Sequence, residues 1–122
     1  MALVLRIENR KMALKAKELF IKAEHGNCEI MIPAMVLVEI SYLSEGRKIK
    51  ISLNDVEKYI QKYPSFKEYK MDREIIKSAF EINDIKELHD RLIAGTAKFL
   101  NLELITNDPI IIASGFVKTI WK

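Results

Sequence analysis

The stretch of residues 88–108, LHDRLIAGTAKFLNLELITND, indicates the fold because it combines a helix with a following strand. Leu88–Leu100 is predicted to be a helix and Glu103–Thr106 a strand. Asn107-Asp108-Pro109 then predicts a turn just past the carboxyl end of that strand. Open α/β sheets bind ligands along the edge where parallel strands end, so the acid in this turn is a candidate site residue.

Helices and strands alternate along the rest of the chain as well. Pro33 suits the first turn of a helix, and Ser52–Asp55 resembles a capping box. The other predicted helices cover Lys11–Glu24, Ala34–Leu43, the region from Leu53 to about Pro64 and the region after Asp72, and the other predicted strands cover Cys28–Ile32, Phe66–Met71 and Val117–Trp121. This alternation predicts an α/β fold, a three-layer α/β/α sandwich with a mainly parallel sheet. No linker or repeat interrupts it, so we expect one domain over residues 1–122.

Composition excludes several classes of protein. The chain has 122 residues, of which 49% are hydrophobic and 30% charged, so it can bury a core and is not of a disordered composition. Its single cysteine, Cys28, rules out an internal disulfide framework and predicts a cytoplasmic location. The longest apolar run, Ile30–Val38, is too short to span a bilayer. We therefore expect no membrane partner.

Positive charge is concentrated in the middle of the chain. The net charge is +3, and residues 47–77 carry nine Lys/Arg against five Asp/Glu. This excess is compatible with a polyanionic partner and equally with solvated helix surfaces. The aromatic residues interleaved with these charges, which would contact RNA bases or fill a helix stripe and a strand, are Tyr59, Tyr63, Phe66 and Tyr69.

Three acids lie in unusual surroundings. Glu39 is inside the apolar helix Ala34–Leu43, where an ionised carboxylate needs a salt-bridge partner, a cleft or a proton. Asp90, in the first turn of its helix, is explained by the helix dipole alone, and Asp108 by turn chemistry. If the three converge at one end of the sheet, their repulsion requires a cation, and carboxylate oxygens suit Mg²⁺ or Mn²⁺. Such a site can promote phosphodiester hydrolysis.

Three segments resemble the acidic motifs of PIN domains, in the order and spacing of that family. They are PAMVLVEI at Pro33–Ile40, LHDRLIA at Leu88–Ala94 and LITND at Leu104–Asp108, and Val117–Trp121 resembles the last strand of the family. PIN domains are metal-dependent ribonucleases, and many small prokaryotic ones are VapC-type toxins that pair with an antitoxin and dimerise. The resemblance implies a PIN-like endoribonuclease with Mg²⁺ (or Mn²⁺) as cofactor, RNA as substrate, an antitoxin partner and a homodimer. It assigns Glu39, Asp90 and Asp108 to the catalytic metal site, with Thr106 as a polar residue that supports it.

The N-terminus departs from the family pattern. PIN domains begin with a buried strand that ends in Asp-Thr or Asp-Ser, whereas no Asp occurs here before Asp55. Either Met1–Ile7 is the helix that follows this strand, which would lie upstream, or Met1–Ile7 is itself the strand and Glu8 replaces the Asp. The first interpretation is favoured by the spacing to the helix Lys11–Glu24. A strand missing from the middle of the sheet would leave backbone groups unpaired, so we expect marginal stability or compensation by a partner chain or a rearranged sheet.

Two other functions remain open at this point. One is a non-catalytic PIN-like module that binds RNA or a protein partner. The other is an unrelated small α/β domain whose acids are helix caps and salt bridges. Carboxyl oxygens of the three acids clustered within metal-bridging distance around an open pocket would exclude the latter, and a Lys or Arg filling that pocket would argue against catalysis.

Overall fold

The structure, a computed structural model, describes residues 1–122 and contains seven helices and four short strands. None of the helices combines the length and apolar character needed to cross a bilayer. In chain order the elements are α1 (Ala2–Ile7), α2 (Leu14–Glu24), β1 (Ile30–Pro33), α3 (Ala34–Glu45), α4 (Leu53–Lys62), β2 (Phe66–Tyr69), α5 (Arg73–Phe80), α6 (Leu88–Leu100), β3 (Leu104–Ile105), α7 (Pro109–Ile112) and β4 (Thr119–Ile120).

The strands pair in parallel, which confirms the predicted α/β fold. β1 pairs with β2, starting with Ile30 opposite Phe66, and β3 pairs with β4, starting with Leu104 opposite Thr119. The predicted single sheet is replaced by two separate two-stranded sheets. No strand lies hydrogen-bonded between the two pairs, so β1 pairs only with β2 and β3 only with β4.

The N-terminal segment is helical. Ala2–Ile7 forms α1, so the interpretation of Met1–Ile7 as a strand is wrong. Glu8 follows this helix, and its Oε2 accepts hydrogen bonds from the backbone N–H groups of Lys50 and Ile51 at 2.7 and 3.2 Å. These bonds tie the loop before α4 to the end of α1. Glu8 is therefore engaged in backbone contacts, and the interpretation that it replaces the family's Asp is wrong as well.

The predicted helix boundaries with a capping residue are confirmed. Asp72 accepts a hydrogen bond from the N–H of Ile75 at 3.1 Å and begins α5. At α4, the N–H of Ser52 donates to the carboxylate of Asp55 at 2.8 Å, as the capping box requires. Local side-chain chemistry thus fixed these boundaries.

Other boundaries differ from the prediction. α2 begins at Leu14 because Ala13 has an extended conformation, with φ −62° and ψ 149°. Pro33 is the last residue of β1 and the N-cap of α3, one position before the first turn. The predicted turn Asn107-Asp108-Pro109 leads directly into α7, a short helix that the sequence reading missed.

Two hydrophobic clusters form the core. The larger has 15 buried residues, with the nearly fully buried side chains of Phe20, Ile40 and Phe66 among them. The smaller has six buried residues, all from the chain after α5: Ile82, Ile85, Ala94, Ala97, Ile111 and Val117. Leu104 of β3 packs against both clusters, so β3 lies between them.

Gly95 allows α5 and α6 to pack in close contact. A Cβ atom at this position would lie 2.6 Å from the Cα and Cβ of Ala79 and 2.8 Å from its backbone nitrogen. The Oγ of Ser78 also donates to the carbonyl of Gly95 at 3.0 Å. The close contact between the two helices therefore requires glycine at position 95.

Gly95→Ala is expected to lower the free energy of unfolding by about 1–3 kcal/mol, because backbone atoms of Ala79 cannot move away without separating the two helices. Urea unfolding measures this change. Gly46→Ala is the matched control, since an added Cβ there has its nearest contact at 3.6 Å. Equal stability of the two variants would contradict the close packing of α5 on α6.

Candidate active site

Glu39, Asp90, Thr106 and Asp108 line one cavity, as the sequence predicts. The cavity has a volume of about 420 Å³ and lies between β1 and β3; we call it the central groove. Glu39 comes from the second turn of α3, Asp90 from the first turn of α6, and Thr106 and Asp108 from the segment after β3. All four are partly exposed. The three acids therefore lie at one end of the groove although Asp108 follows Glu39 by 69 positions in the sequence.

Backbone hydrogen bonds position Asp108. Its Oδ1 accepts from the N–H of Ile110 at 2.9 Å, so Asp108 is the N-cap of α7. Its own N–H donates to the Oγ1 of Thr106 at 3.1 Å. Thr106 thus contacts the backbone of Asp108 directly, and one carboxylate oxygen of Asp108 is engaged in capping the helix.

Glu87 positions the start of α6 and was missed by sequence reasoning. Its Oε2 accepts from the N–H of Asp90 at 2.7 Å, and its Oε1 lies 2.9 Å from the Nδ1 of His89. Burial raises the pKa of Glu87, but the hydrogen bonds from these two residues outweigh it and lower the pKa overall. Its place immediately before Leu88 was the available signal, since an acceptor side chain is common at a helix N-cap.

Asp90 is electrostatically strained. Burial and, to a smaller extent, the negative charges of Glu87, Asp108 and Glu39 together raise its pKa to about 6. Burial also raises the pKa of Glu39, with Glu87 acting in the same sense and His89 and the α-ammonium group of Met1 opposing it. The ionised form of Asp90 is thus unfavourable because burial reduces its hydration and three other carboxylates repel its charge.

Glu39 does not form a salt bridge, so an ion-pair partner does not explain this carboxylate in an apolar helix. Every ion pair in the chain involves other acids. No Lys or Arg lines the central groove. Arg91, the basic residue next to Asp90, donates to the carbonyl of Ala79 at 3.1 Å and stacks on the ring of Phe80. The acids therefore face a groove that contains no basic side chain to neutralise them.

The acids are not close enough to hold one metal ion together. No group of three His, Cys, Asp or Glu side chains has the geometry of a metal site. The chemistry of the donors still fits a hard divalent cation, since Glu39, Asp90 and Asp108 offer only carboxylate oxygens. A cation shared by them would require their side chains to turn toward one another.

The basic middle of the chain is exposed to solvent. All nine basic side chains of residues 47–77 are exposed. The aromatic residues among them are largely unavailable for RNA bases. Phe66 is buried in the larger cluster, and the hydroxyl of Tyr59 donates to Glu24. The prediction of a charged surface stands, whereas base stacking on Phe66 and Tyr59 is wrong because both are part of the core packing.

Comparisons with known proteins cover nearly the whole chain. A family model described as "PIN domain" matches residues 2–115. No curated protein sequence matches. Among solved structures, the chain is similar to VapBC2 from Rickettsia felis, bound to a DNA fragment from its promoter, with a TM-score of 0.71, 20% identity and coverage of 99% of this chain and 94% of that one. DNA-bound VapBC from Salmonella typhimurium gives a TM-score of 0.67, 13% identity and coverage of 97% and 90%. These likenesses concern the fold.

Proposed function

Because the chain belongs to the PIN domain family, we propose that it is a metal-dependent endoribonuclease of the VapC toxin type. One observation carries the proposal. Glu39, Asp90 and Asp108 line the same groove, beyond the carboxyl ends of β1 and β3, where burial and the charges of Glu87, Asp108 and Glu39 raise the pKa of Asp90 to about 6. Such a perturbed acid in a cleft is typical of a functional site.

Glu39, Asp90 and Asp108 would hold Mg²⁺ or Mn²⁺, and the bound cation would supply Lewis-acid activation of a phosphodiester and its attacking water. Thr106 orients Asp108 through the hydrogen bond to its N–H. With a pKa of about 6, Asp90 is largely ionised at neutral pH, as a carboxylate that holds a cation must be.

The exposed basic residues of 47–77 are proposed to bind the RNA backbone. None of them lines the central groove, and all of them are exposed to solvent. They can therefore contact phosphate groups of RNA. Of the aromatic residues in this segment, Tyr69 is partly exposed and remains available for stacking. Binding through such contacts would weaken steeply with added salt.

An antitoxin and a second copy of the chain are the proposed partners. The two similar solved structures are VapBC proteins, which suggests a corresponding antitoxin here. Exposed apolar side chains offer surface for both partners. Val38 and Tyr42 of α3 are 53% and 70% exposed, and Phe80 of α5 is 54% exposed. Apolar surface of this kind is commonly covered in an assembly.

A second candidate function is a non-catalytic PIN-like module that binds RNA or a protein partner. The separation of the three carboxylates favours this function, since they are not arranged to coordinate one metal ion together. The two functions are distinguished by RNA cleavage that depends on a divalent cation, which only the endoribonuclease would show.

Cleavage of a random pool of single-stranded RNA tests the proposal. We expect cleavage with Mg²⁺ or Mn²⁺, none with EDTA, and a loss of at least about 100-fold in Glu39→Gln, because a carboxylate that holds the cation is removed. Glu45→Gln removes a charge from an exposed position of the same helix and should cleave at the wild-type rate. RNA binding without cation-dependent cleavage would favour the non-catalytic module, and cleavage unchanged by EDTA and by Glu39→Gln would refute the proposed site.

A further inference from the structure

A second cavity lies between α7 and β4, and we call it the lateral pocket. Its volume is about 620 Å³, within the usual range of small-molecule sites. Its walls include Pro109 and the last turn of α7, Thr119 of β4, and Trp121 and Lys122, which follow β4. Asn107 also lines it and lines the central groove as well. The two cavities therefore adjoin at this residue.

The lateral pocket lies beside the acidic end of the central groove. Side chains alternate along β4, so Ile120 lines the central groove, whereas its neighbours Thr119 and Trp121 line the lateral pocket. The two cavities are thus on opposite faces of β4 and meet at Asn107, beyond the carboxyl end of β3. Asp108 is the next residue along the chain. A ligand in the lateral pocket can therefore extend over this edge of the sheet toward the acids.

The pocket combines an aromatic ring with polar groups that have no partner in the protein. Trp121 packs against the larger hydrophobic cluster, so its ring is held in place. None of the side-chain hydrogen bonds involves the amide of Asn107, the hydroxyl of Thr119 or the indole N–H of Trp121. A nucleobase needs this combination, since its face stacks on aromatic rings and its edge carries donors and acceptors.

The charge of the lateral pocket is opposite to that of the central groove. Lys122 is exposed and belongs to none of the ion pairs. No Asp or Glu lines this pocket. The ammonium group of Lys122 is therefore free to contact a phosphate of a bound nucleotide.

We propose that the lateral pocket binds one base of single-stranded RNA, stacked on Trp121, and that the neighbouring phosphodiester lies at the acidic end of the central groove. The inference rests on the proposed function, since it takes RNA as the substrate. Asn107 and Thr119 would contact the edge of the base. The bound base would fix the position of the RNA strand relative to the acids, so the lateral pocket would determine which linkage is cleaved.

Quenching of tryptophan fluorescence tests the pocket directly, because Trp121 is the only tryptophan in the chain. Adenosine 5′-monophosphate (AMP) is titrated in EDTA, and ribose 5-phosphate, which lacks the base, is the control ligand. We expect saturable quenching by AMP and none by ribose 5-phosphate, because only a base stacks on the indole ring. Asn107→Ala should bind AMP at least about 3-fold more weakly, since a hydrogen bond to the base is lost. Equal quenching by the two ligands would indicate a phosphate site, and that result or no quenching would overturn the proposal.

Binding of a labelled single-stranded RNA, measured by fluorescence anisotropy in EDTA, shows whether the base belongs to RNA. Trp121→Leu should bind at least about 5-fold more weakly, because stacking is lost. Asn107→Ala should also weaken binding, and its exposed side chain is not part of the core, so this variant separates recognition from folding. Phe116→Leu is the matched control. It removes an aromatic ring that is 38% exposed and lines neither cavity, and it should bind RNA like the wild type.

Unchanged RNA binding in both pocket variants, together with quenching by AMP, would indicate a site for free nucleotides and would overturn the proposal. Neither measurement requires cleavage, so failure of the pocket is distinguishable from failure of the proposed function. RNA binding that depends on Trp121 and Asn107, without cation-dependent cleavage, would support the pocket and refute the ribonuclease. Cation-dependent cleavage without quenching by AMP would support the ribonuclease and refute the pocket.

Discussion

Replacing Asp90 with asparagine is expected to lower RNA cleavage by at least about 100-fold and, at pH 7, to raise the melting temperature. Cleavage falls because a carboxylate proposed to hold the cation is lost. Stability rises because burial and the charges of Glu87, Asp108 and Glu39 raise the pKa of Asp90 to about 6, so its ionised form is unfavourable in the folded protein. Asparagine carries no charge and keeps nearly the same shape.

The gain in stability is moderate because Asp90 is partly exposed. A shift of this size in a fully buried group would correspond to about 3 kcal/mol at about 1.4 kcal/mol per pKa unit. Solvent screens a partly exposed carboxylate, so we expect about 1 kcal/mol. For a chain of this length that is a rise of about 3–5 °C in melting temperature.

The gain should depend on pH in a defined sense. Because the pKa of Asp90 in the folded protein lies above its ordinary value of 3.8, the folded protein takes up a proton as the pH falls through about 6. The unfavourable charge is fully present above that pH and is gone below about pH 4. The difference in melting temperature between Asp90→Asn and wild type should therefore shrink from pH 7 to pH 4.

Glu45→Gln is the matched control for this experiment, since it removes one negative charge from an exposed site outside the groove. It should leave both cleavage and melting temperature at wild-type values. A variant Asp90→Asn that cleaves RNA normally would remove Asp90 from the mechanism. A variant that melts below wild type at pH 7 would contradict the strained carboxylate.

Glu24→Gln is expected to produce the largest loss of stability, about 2–3 kcal/mol in the free energy of unfolding measured with urea. The carboxylate of Glu24 accepts two hydrogen bonds from Arg6, at 2.7 and 2.8 Å, and one from the hydroxyl of Tyr59 at 2.5 Å. The Arg6 and Glu24 side chains are only 20% and 11% exposed. Loss of one charge leaves the other poorly solvated, which is unfavourable in a nearly buried pair.

This network joins α1, through Arg6, to α2 and α4, which carry Glu24 and Tyr59. Since Leu3 of α1 is a wall of the central groove, the groove should loosen when the network is broken. The hydrogen bonds from Arg6 lower the pKa of Glu24 below its ordinary value of 4.5. Its contribution is therefore present above that pH and is lost as the pH falls through the lowered pKa.

A double variant separates the charge effect from packing. Arg6→Met with Glu24→Gln should recover at least half of the loss, because no unpaired charge remains. Glu74→Gln is the exposed control, since its pair with Lys77 is 4.0 Å long and both side chains are more than half exposed. It should change stability by less than about 0.5 kcal/mol. A loss in Glu24→Gln no larger than in this control would contradict the buried network.

Much of the fold could be predicted from the sequence because it follows from local chemistry. The helix Leu88–Leu100 has its predicted bounds, and Asp72 and Ser52 cap helices as predicted. The choice between helix and strand for residues 1–7 was open, because a stretch of seven residues with six apolar ones fits either. Helix α7 was missed because Asp108 and Pro109 suit a turn as well as a helix start.

The sequence by itself determined the order of the elements, the PIN resemblance, and the identity of Glu39, Asp90 and Asp108 as acids in unusual places. Periodicity, capping and motif order act over a few residues and can be read along the chain. Only the tertiary structure decided that the strands form two separate pairs around a groove, that Glu87 holds Asp90, and that Arg6, Glu24 and Tyr59 form one network. It alone decided that the pKa of Asp90 is about 6. Most of these properties depend on contacts between residues that are distant along the chain, where the sequence pattern does not reveal which groups meet.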